Sequence, residues 1–231
     1  DLYGVIYNNE VGENQLLKID TSTGTSDFVS SFKFDAGSWS ASSFVIYDDY
    51  VFGVGTDKQM ISVDIANELS GEDYSGVNSS WAIDLSKRLG KIFPTNNDSH
   101  VIEASAIEIK TSSDGEIGVI GDVIHNDPNT LGPGPMMAQG ELQGNFFSKF
   151  SADGQEIFSI KIGDLEDSLN SDGRGGTIHK SRLAVNNDGQ FFVSMNKNGY
   201  IINNQDDIIK IEADGNDFES VVAYKNNFYL E

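Results

Sequence analysis

The segment FSKFSADGQEIFSIKI (residues 147–162) decides the fold class of this sequence. Runs of alternating apolar and polar residues flank SADGQ, in which Asp153-Gly154 offers the positive φ that a tight hairpin turn requires. The same pattern returns in SRLAVNNDGQFFVSM (residues 181–195) around Asp188-Gly189. Both segments are therefore predicted to form β-hairpins.

Short strand-like runs separated by turns fill the rest of the chain as well, and they repeat as units of up to four strands. The first unit begins on a second strand, and the other three each have a first strand before it. The predicted second strands are LYGVIY (2–7), VFGVGT (51–56), IGVIGD (117–122) and FFVSMN (191–196). The third strands are predicted from Gln15, Gln59, Phe146 and Asp207, and the fourth strands from Ser26, Ser79, Gln155 and Asn216.

Four-stranded meander units that repeat along a chain indicate an all-β fold of the β-propeller type, with four or five antiparallel blades. The motifs of residues 147–162 and 181–195 resemble those of secreted bacterial β-propeller repeat proteins. This resemblance covers most of the chain and rests on turn chemistry, so it implies a fold and no activity. A segment of a larger propeller is the alternative interpretation.

The ends of the chain suggest how such a ring could close. We expect residues 1–231 to form a single domain, because all-β domains often reach this length. The first unit lacks a first strand, and NNFYLE (226–231) is a strand with no partner after it. Pairing of the C-terminal strand with the N-terminal blade would then remove two exposed edges.

The longest predicted loops are 86–104, 122–145 and 164–181, and all of them are expected at one face of the propeller. Long irregular connections in compact domains commonly line binding sites. These loops carry all three histidines of the chain, together with several charged residues. The candidate ligand-binding residues are His100, His125, His179, Arg174 and Asp127.

Imidazole and carboxylate groups on this face also suggest a metal site. Asp122, His125 and Asp127 lie within six residues of one another and could hold Ca²⁺ or another divalent cation. Their spacing matches no established metal motif. The competing interpretation is that surface loops hold a few histidines by chance and that nothing converges.

Three function classes are compatible with these residues. The first is a binding or adhesion module that uses the long-loop face. The second is a polysaccharide lyase or hydrolase in which a histidine acts as base and Arg174 neutralises a substrate carboxylate. The third is a structural subunit of a surface assembly or filament, associated through edge strands at Leu2 and Phe228. The residues favour a binding role over an enzymatic one.

Charge and composition limit the classes of molecule that this chain can be expected to bind. The chain has 36 acidic and 15 basic residues, a formal net charge of -21 and no cysteine. Such a charge repels nucleic acid and anionic membranes, and no apolar run is long enough to span a membrane. We therefore expect a protein or glycan partner at a cell surface. The chain begins at Asp1 directly on a strand-like run, as after removal of a signal peptide, which predicts a secreted or surface location.

Overall fold

The computed structural model describes residues 2–8, 10, 13–32, 43–48, 50–54, 59–64, 79–94, 101–126, 141–163, 182–195, 197–212, 218 and 220–230. These residues form strands in antiparallel sheets and one short helix. The chain divides into two compact units, Asp1–Ile83 and Asp84–Glu231, and each is described by itself. In the part of the chain that the structure describes, no helix is long and apolar enough to cross a membrane.

The first unit contains two sheets. The first sheet has three strands in the order β1 (Leu2–Asn8), β2 (Glu13–Ile19) and β3 (Ser26–Phe32). The second sheet has four strands in chain order: β4 (Ser43–Tyr47), β5 (Tyr50–Val54), β6 (Gln59–Asp64) and β7 (Ser79–Asp84). These are the strands that the sequence predicts for the first two of its four-stranded repeats.

The second unit begins with a helix and adds two four-stranded sheets and a hairpin. Helix α1 (Leu85–Leu89) precedes the third sheet, which runs β8 (Val101–Thr111), β9 (Ile117–Asn126), β10 (Glu141–Phe150) and β11 (Glu156–Ile162). The fourth sheet runs β12 (Leu183–Val185), β13 (Phe191–Ser194), β14 (Asn198–Asn204) and β15 (Asp207–Glu212). The last hairpin pairs β16 (Val221–Tyr224) with β17 (Asn227–Leu230).

The fourth sheet differs from its predicted strand order. NGYIINN at Asn198–Asn204 is its third strand, so the predicted third strand at Asp207 is the fourth. Side-chain bonds close the turn between them, because the Asp206 amide donates to the Asn204 Oδ1 at 2.9 Å. A polar, Asn-rich segment can thus form a buried strand when the side chains of its Tyr and Ile residues pack into the hydrophobic core.

The last hairpin corrects the prediction of a fourth strand from Asn216. Val221–Tyr224 pairs with β17, and β16–β17 has the same two-residue turn as β4–β5. The first turn residue has positive φ in both hairpins: 52° at Asp48 and 55° at Lys225. The β16–β17 hairpin therefore forms a separate, two-stranded fifth sheet. The prediction that the C-terminal strand closes a ring stays a prediction.

Aromatic side chains hold the third and fourth sheets together. The Phe147 and Phe191 rings are fully buried with their centroids 5.5 Å apart. On the other side of the fourth sheet, the Phe192 ring lies 5.2 Å from that of Phe228. Each such ring removes a large apolar area from water, so each sheet depends on the next for its core.

Gly118 makes the close approach of the third and fourth sheets possible. A Cβ atom at this position would lie 2.4 Å from the Phe191 ring, inside van der Waals contact. Any side chain here must displace the ring that joins the two sheets.

We therefore expect Gly118→Ala to destabilise the chain by about 1–3 kcal/mol, the usual cost of overpacking a core. Urea unfolding followed by fluorescence measures the change. Gly4→Ala is the control, because a Cβ at Gly4 makes only an ordinary contact of 3.4 Å with Ile19. Equal effects of the two substitutions would contradict the assigned packing.

Candidate functional site

Most of the predicted site residues lie outside the residues that the structure describes. These are His100, Asp127, Arg174 and His179. Asp122 and His125 lie within β9, so both are placed by the backbone of a sheet. The predicted ligand and metal roles of all six residues stay predictions. In the described part of the chain, no group of three or more histidine and acidic side chains could hold a metal ion.

The loop predicted at 122–145 is shorter than the sequence indicates. Asp122 pairs with Asn145, and His125 pairs with Glu141, in the β9–β10 ladder, whose register shifts between Leu142 and Gly144. Val123 and Ile124 are adjacent β-branched residues, and they extend the strand beyond the predicted end. Asp122 is therefore a strand residue, and only 3% of its surface is exposed.

The loop predicted at 86–104 also contains regular structure. Helix α1 occupies its start, and β8 begins at Val101. The side chains of Leu85, Leu89 and Phe93 are buried. Their spacing of four residues is typical of a helix and differs from the alternation of a strand. On the polar side of α1, Arg88 donates a hydrogen bond to Glu156 of β11.

The Arg88–Glu156 bond affects the ionisation of the carboxyl group. Partial burial raises the pKa of Glu156. Hydrogen bonds from Ser159 and Arg88 lower it by more than burial raises it, so the pKa of Glu156 lies below its usual value. The charged form of Glu156 is therefore the one that ties α1 to the third sheet.

At one end of the second unit, the strands are joined by tight turns, and at the other end two of the connections are long. At one end, the first strand joins the second and the third joins the fourth by tight turns, such as 112–116, 151–155 and 186–190. At the other end, residues 127–140 join β9 to β10 and residues 163–182 join β11 to β12. We call these two segments the long connections. The prediction that every long loop lies at this end is wrong for the first unit, where residues 65–78 join the third strand β6 to the fourth strand β7.

Hydrogen bonds within the tight turns fix the backbone conformation of each turn. In the turn at 112–116, the Glu116 amide donates to Ser112 Oγ at 3.0 Å, and Gly115 has a φ of 87°. In the turn at 186–190, Asn186 Oδ1 accepts from the amides of Asp188 and Gln190 at 3.0 Å each. The Asp-Gly motifs are thus explained by turn structure alone, as the sequence predicts.

The turn of the fourth sheet also contacts the last hairpin. The Asn187 amide donates to the Lys225 carbonyl at 2.9 Å, and Asn226 Nδ2 donates to Asp188 Oδ1 at 3.0 Å. Two neighbouring sheets therefore share polar contacts as well as buried rings.

An open cavity of about 340 Å³ lies between the tight turns of the third and fourth sheets. Lys149 forms a 2.5 Å ion pair with Glu116 there, and the wall is otherwise polar or acidic. Such a lining accepts polar or cationic groups in preference to anions. Its residues are Asp114, Glu116, Lys149, Asp188, Gly189, Gln190 and Asn203.

A buried carboxylate joins the third sheet to the start of the fourth. Glu108 of β8 accepts hydrogen bonds from the amides of Arg182 at 2.7 Å and Leu183 at 3.1 Å. Arg182 is itself buried and donates to the Phe218 carbonyl. Glu108 thus fixes the backbone at the start of β12, where residues 163–182 enter that strand. Sequence reasoning missed it, because a single Glu in an apolar run carries no spacing signal.

No protein-family model and no curated protein sequence matches this chain. Among solved structures, Saccharomyces cerevisiae Sqt1 aligns with 95% of this chain and 50% of its own length, at 7% identity and a TM-score of 0.51. The β-propeller domain of Myceliophteria thermophila Cps50 (Swd1) aligns over 94% and 60%, at 8% identity and a TM-score of 0.48. The chain thus spans half to three-fifths of these structures. At such identities the similarity concerns the fold alone, and the predicted all-β, propeller-like fold is confirmed.

The Glu108 contact predicts a clear difference between two carboxylates. Glu108→Gln keeps the shape but removes the charge from two buried amide contacts, so we expect a loss of about 1–3 kcal/mol of stability. Glu212→Gln is the control, because Glu212 is largely exposed and forms an exposed ion pair with Lys210. Exposed pairs contribute about 0–1 kcal/mol. Chemical denaturation measures both, and a Glu108→Gln variant as stable as wild type would contradict the assigned role.

A second prediction concerns the turn at Asp20. Hydrogen bonds from the hydroxyl and amide of Ser22 lower the pKa of Asp20 to about 2 from 3.8. The folded-state pKa lies below the unfolded value, so this stabilisation is present above about pH 3.8 and is lost as the pH falls through about 2. NMR titration should find the pKa of Asp20 raised in Ser22→Ala and kept low in Ser22→Thr. An unchanged value in Ser22→Ala would refute the cause.

Proposed function

We propose that this chain is a binding module whose partner contacts the long connections of the second unit. The observation that supports this proposal is the length of two connections at one end of the third and fourth sheets, compared with the tight turns at the other end. Tight turns of this kind need no function, whereas connections as long as 127–140 and 163–182 commonly line binding surfaces on a rigid scaffold.

Described residues that flank the long connections are held by backbone pairing and hydrogen bonds. The β9–β10 ladder continues to His125 and Glu141, directly before residues 127–140. Glu108 fixes the backbone of Arg182 and Leu183, directly after residues 164–181. A binding segment held at its base loses less conformational entropy when a partner is bound.

The chemistry of the partner follows from the residues in these segments. Arg174 and His179 supply cationic or hydrogen-bonding groups, and Asp127 supplies a carboxylate, within a chain of net charge -21. We propose a protein or glycan at a cell surface as the partner, with the chain itself secreted or surface-bound. Ca²⁺ or another divalent cation bound near Asp122, His125 and Asp127 belongs to the same proposal.

The test compares a double variant, Arg174→Ala with His179→Ala, against the control Lys210→Ala. Lys210 is an exposed cation on the edge strand β15, and it belongs to neither long connection. Glycan arrays and immobilised cell-surface proteins serve as probes. We expect a partner of the wild type to bind the double variant at least about tenfold more weakly, which corresponds to a loss of about 1.4 kcal/mol, and to bind the control unchanged.

Two results would contradict the proposal. One is equal binding of partner by the wild type and the double variant. The other is release of unsaturated or reducing sugars when the protein is incubated with polysaccharide, which would favour a lyase or hydrolase instead.

Cation binding has its own measurement. If Ca²⁺ is held by folded residues, its addition raises the melting temperature and EDTA lowers it, because a ligand of the native state stabilises that state. Asp127→Asn should remove the response, while Asp206→Asn, in the turn between β14 and β15, should keep it. No change of melting temperature up to millimolar Ca²⁺ would exclude this part of the proposal.

A further inference from the structure

Arg182 contacts three parts of the second unit. Its amide donates a hydrogen bond to Glu108 of β8, in the third sheet. Its carbonyl accepts a hydrogen bond of 2.8 Å from the amide of Ser194, in the fourth sheet. Its guanidinium donates to the carbonyl of Phe218, which lies before the last hairpin. One residue therefore joins two sheets to the segment that leads into β16.

The surroundings of Arg182 strengthen these contacts. Arg182 is only 8% exposed, and its bond to Phe218 is partly shielded from water. A hydrogen bond from a charged donor is stronger than a neutral one, and a shielded acceptor that loses its donor is costly. The planar guanidinium also offers its donors in a fixed geometry. The contact with Arg182 therefore fixes the backbone of Phe218.

Phe218 belongs to a connection that is equivalent to one of the long connections. Residues 213–220 lead from β15, the last strand of the fourth sheet, to β16, the first strand of the fifth, and we call them the hairpin connection. Residues 163–182 lead in the same way from β11 to β12. Because the four strands of the fourth sheet are antiparallel, β12 starts and β15 ends at the same end of that sheet.

We propose that Arg182 holds the hairpin connection beside residues 163–182, so that both segments contact the partner. This inference rests on the proposed function, because it assigns a further segment to the same binding surface. Arg182 is a positioning residue in this surface, since it acts through the backbone of Phe218.

The composition of the two segments selects the class of partner. The hairpin connection contains Asp214, Asp217 and Glu219 and no lysine or arginine. Acidic residues also outnumber lysine and arginine in residues 163–182. A surface with an excess of carboxylates repels anionic glycans and attracts a basic surface. The partner that fits both segments is therefore a protein with a basic surface.

Amide hydrogen exchange of the full chain, followed by mass spectrometry, tests the positioning role. Arg182→Met keeps an apolar stem but removes the donor, so we expect the hairpin connection to exchange about tenfold faster or more, as a segment released from a local contact does. Arg182→Lys keeps a charged donor and should retain part of the protection. Peptides from β9 and β10 should exchange as in the wild type. Unchanged exchange in the hairpin connection, or equally faster exchange in every sheet, would overturn the positioning role.

Two matched charge variants test the surface. Asp214→Asn with Asp217→Asn removes two charges from the hairpin connection, and Asp206→Asn with Asp207→Asn removes two at the turn between β14 and β15, at the other end of the fourth sheet. Immobilised cell-surface proteins with a basic isoelectric point and sulfated glycans on an array serve as probes. We expect the hairpin-connection variant to bind a basic protein at least about tenfold more weakly than the wild type, and the turn variant to bind it unchanged.

Comparison with the Arg174→Ala, His179→Ala double variant separates this inference from the proposed function. Loss of binding in that variant, but not in the hairpin-connection variant, would overturn the inference and leave the proposed function intact. Unchanged binding by both variants would contradict the proposed function itself. Binding of a sulfated glycan in place of a basic protein would overturn the assigned class of partner.

Discussion

The contact between the Phe191 ring and the third sheet is the constraint on which the second unit depends. Phe191 lies above Gly118 and against Phe147, and all three residues are buried. Because a single antiparallel sheet cannot bury both of its faces, each sheet gains stability only from its neighbours. The buried carboxylate of Glu108 adds a polar contact between the same two sheets.

This dependence connects the fold to the proposed function. In the second unit, tight turns join the first strand to the second and the third strand to the fourth, and Glu108 and the β9–β10 ladder hold described residues that flank the long connections at the other end.

The sequence predicts the fold better than the site, for physical reasons. Alternating β-branched and aromatic residues and Asp-Gly turns are local signals, and they place nearly all strands of the first three sheets correctly. These local signals do not predict the Asn-rich strand Asn198–Asn204 or the helix at Leu85, because tertiary burial outweighs local propensity at both places. Glu108 and Arg182 are 74 residues apart and meet only through sheet packing. The histidines carry no such local signal, and their roles stay predictions.

A double-mutant cycle between Phe147 and Phe191 tests the central claim, that these rings join the third and fourth sheets, most directly. Phe147→Leu, Phe191→Leu and the double variant are compared by chemical denaturation. Aromatic pairs in contact contribute about 0.5–1.5 kcal/mol beyond their area burial, so we predict a coupling energy in that range. Additivity of the two single substitutions within about 0.3 kcal/mol would show that the rings do not interact and would contradict the stacked arrangement.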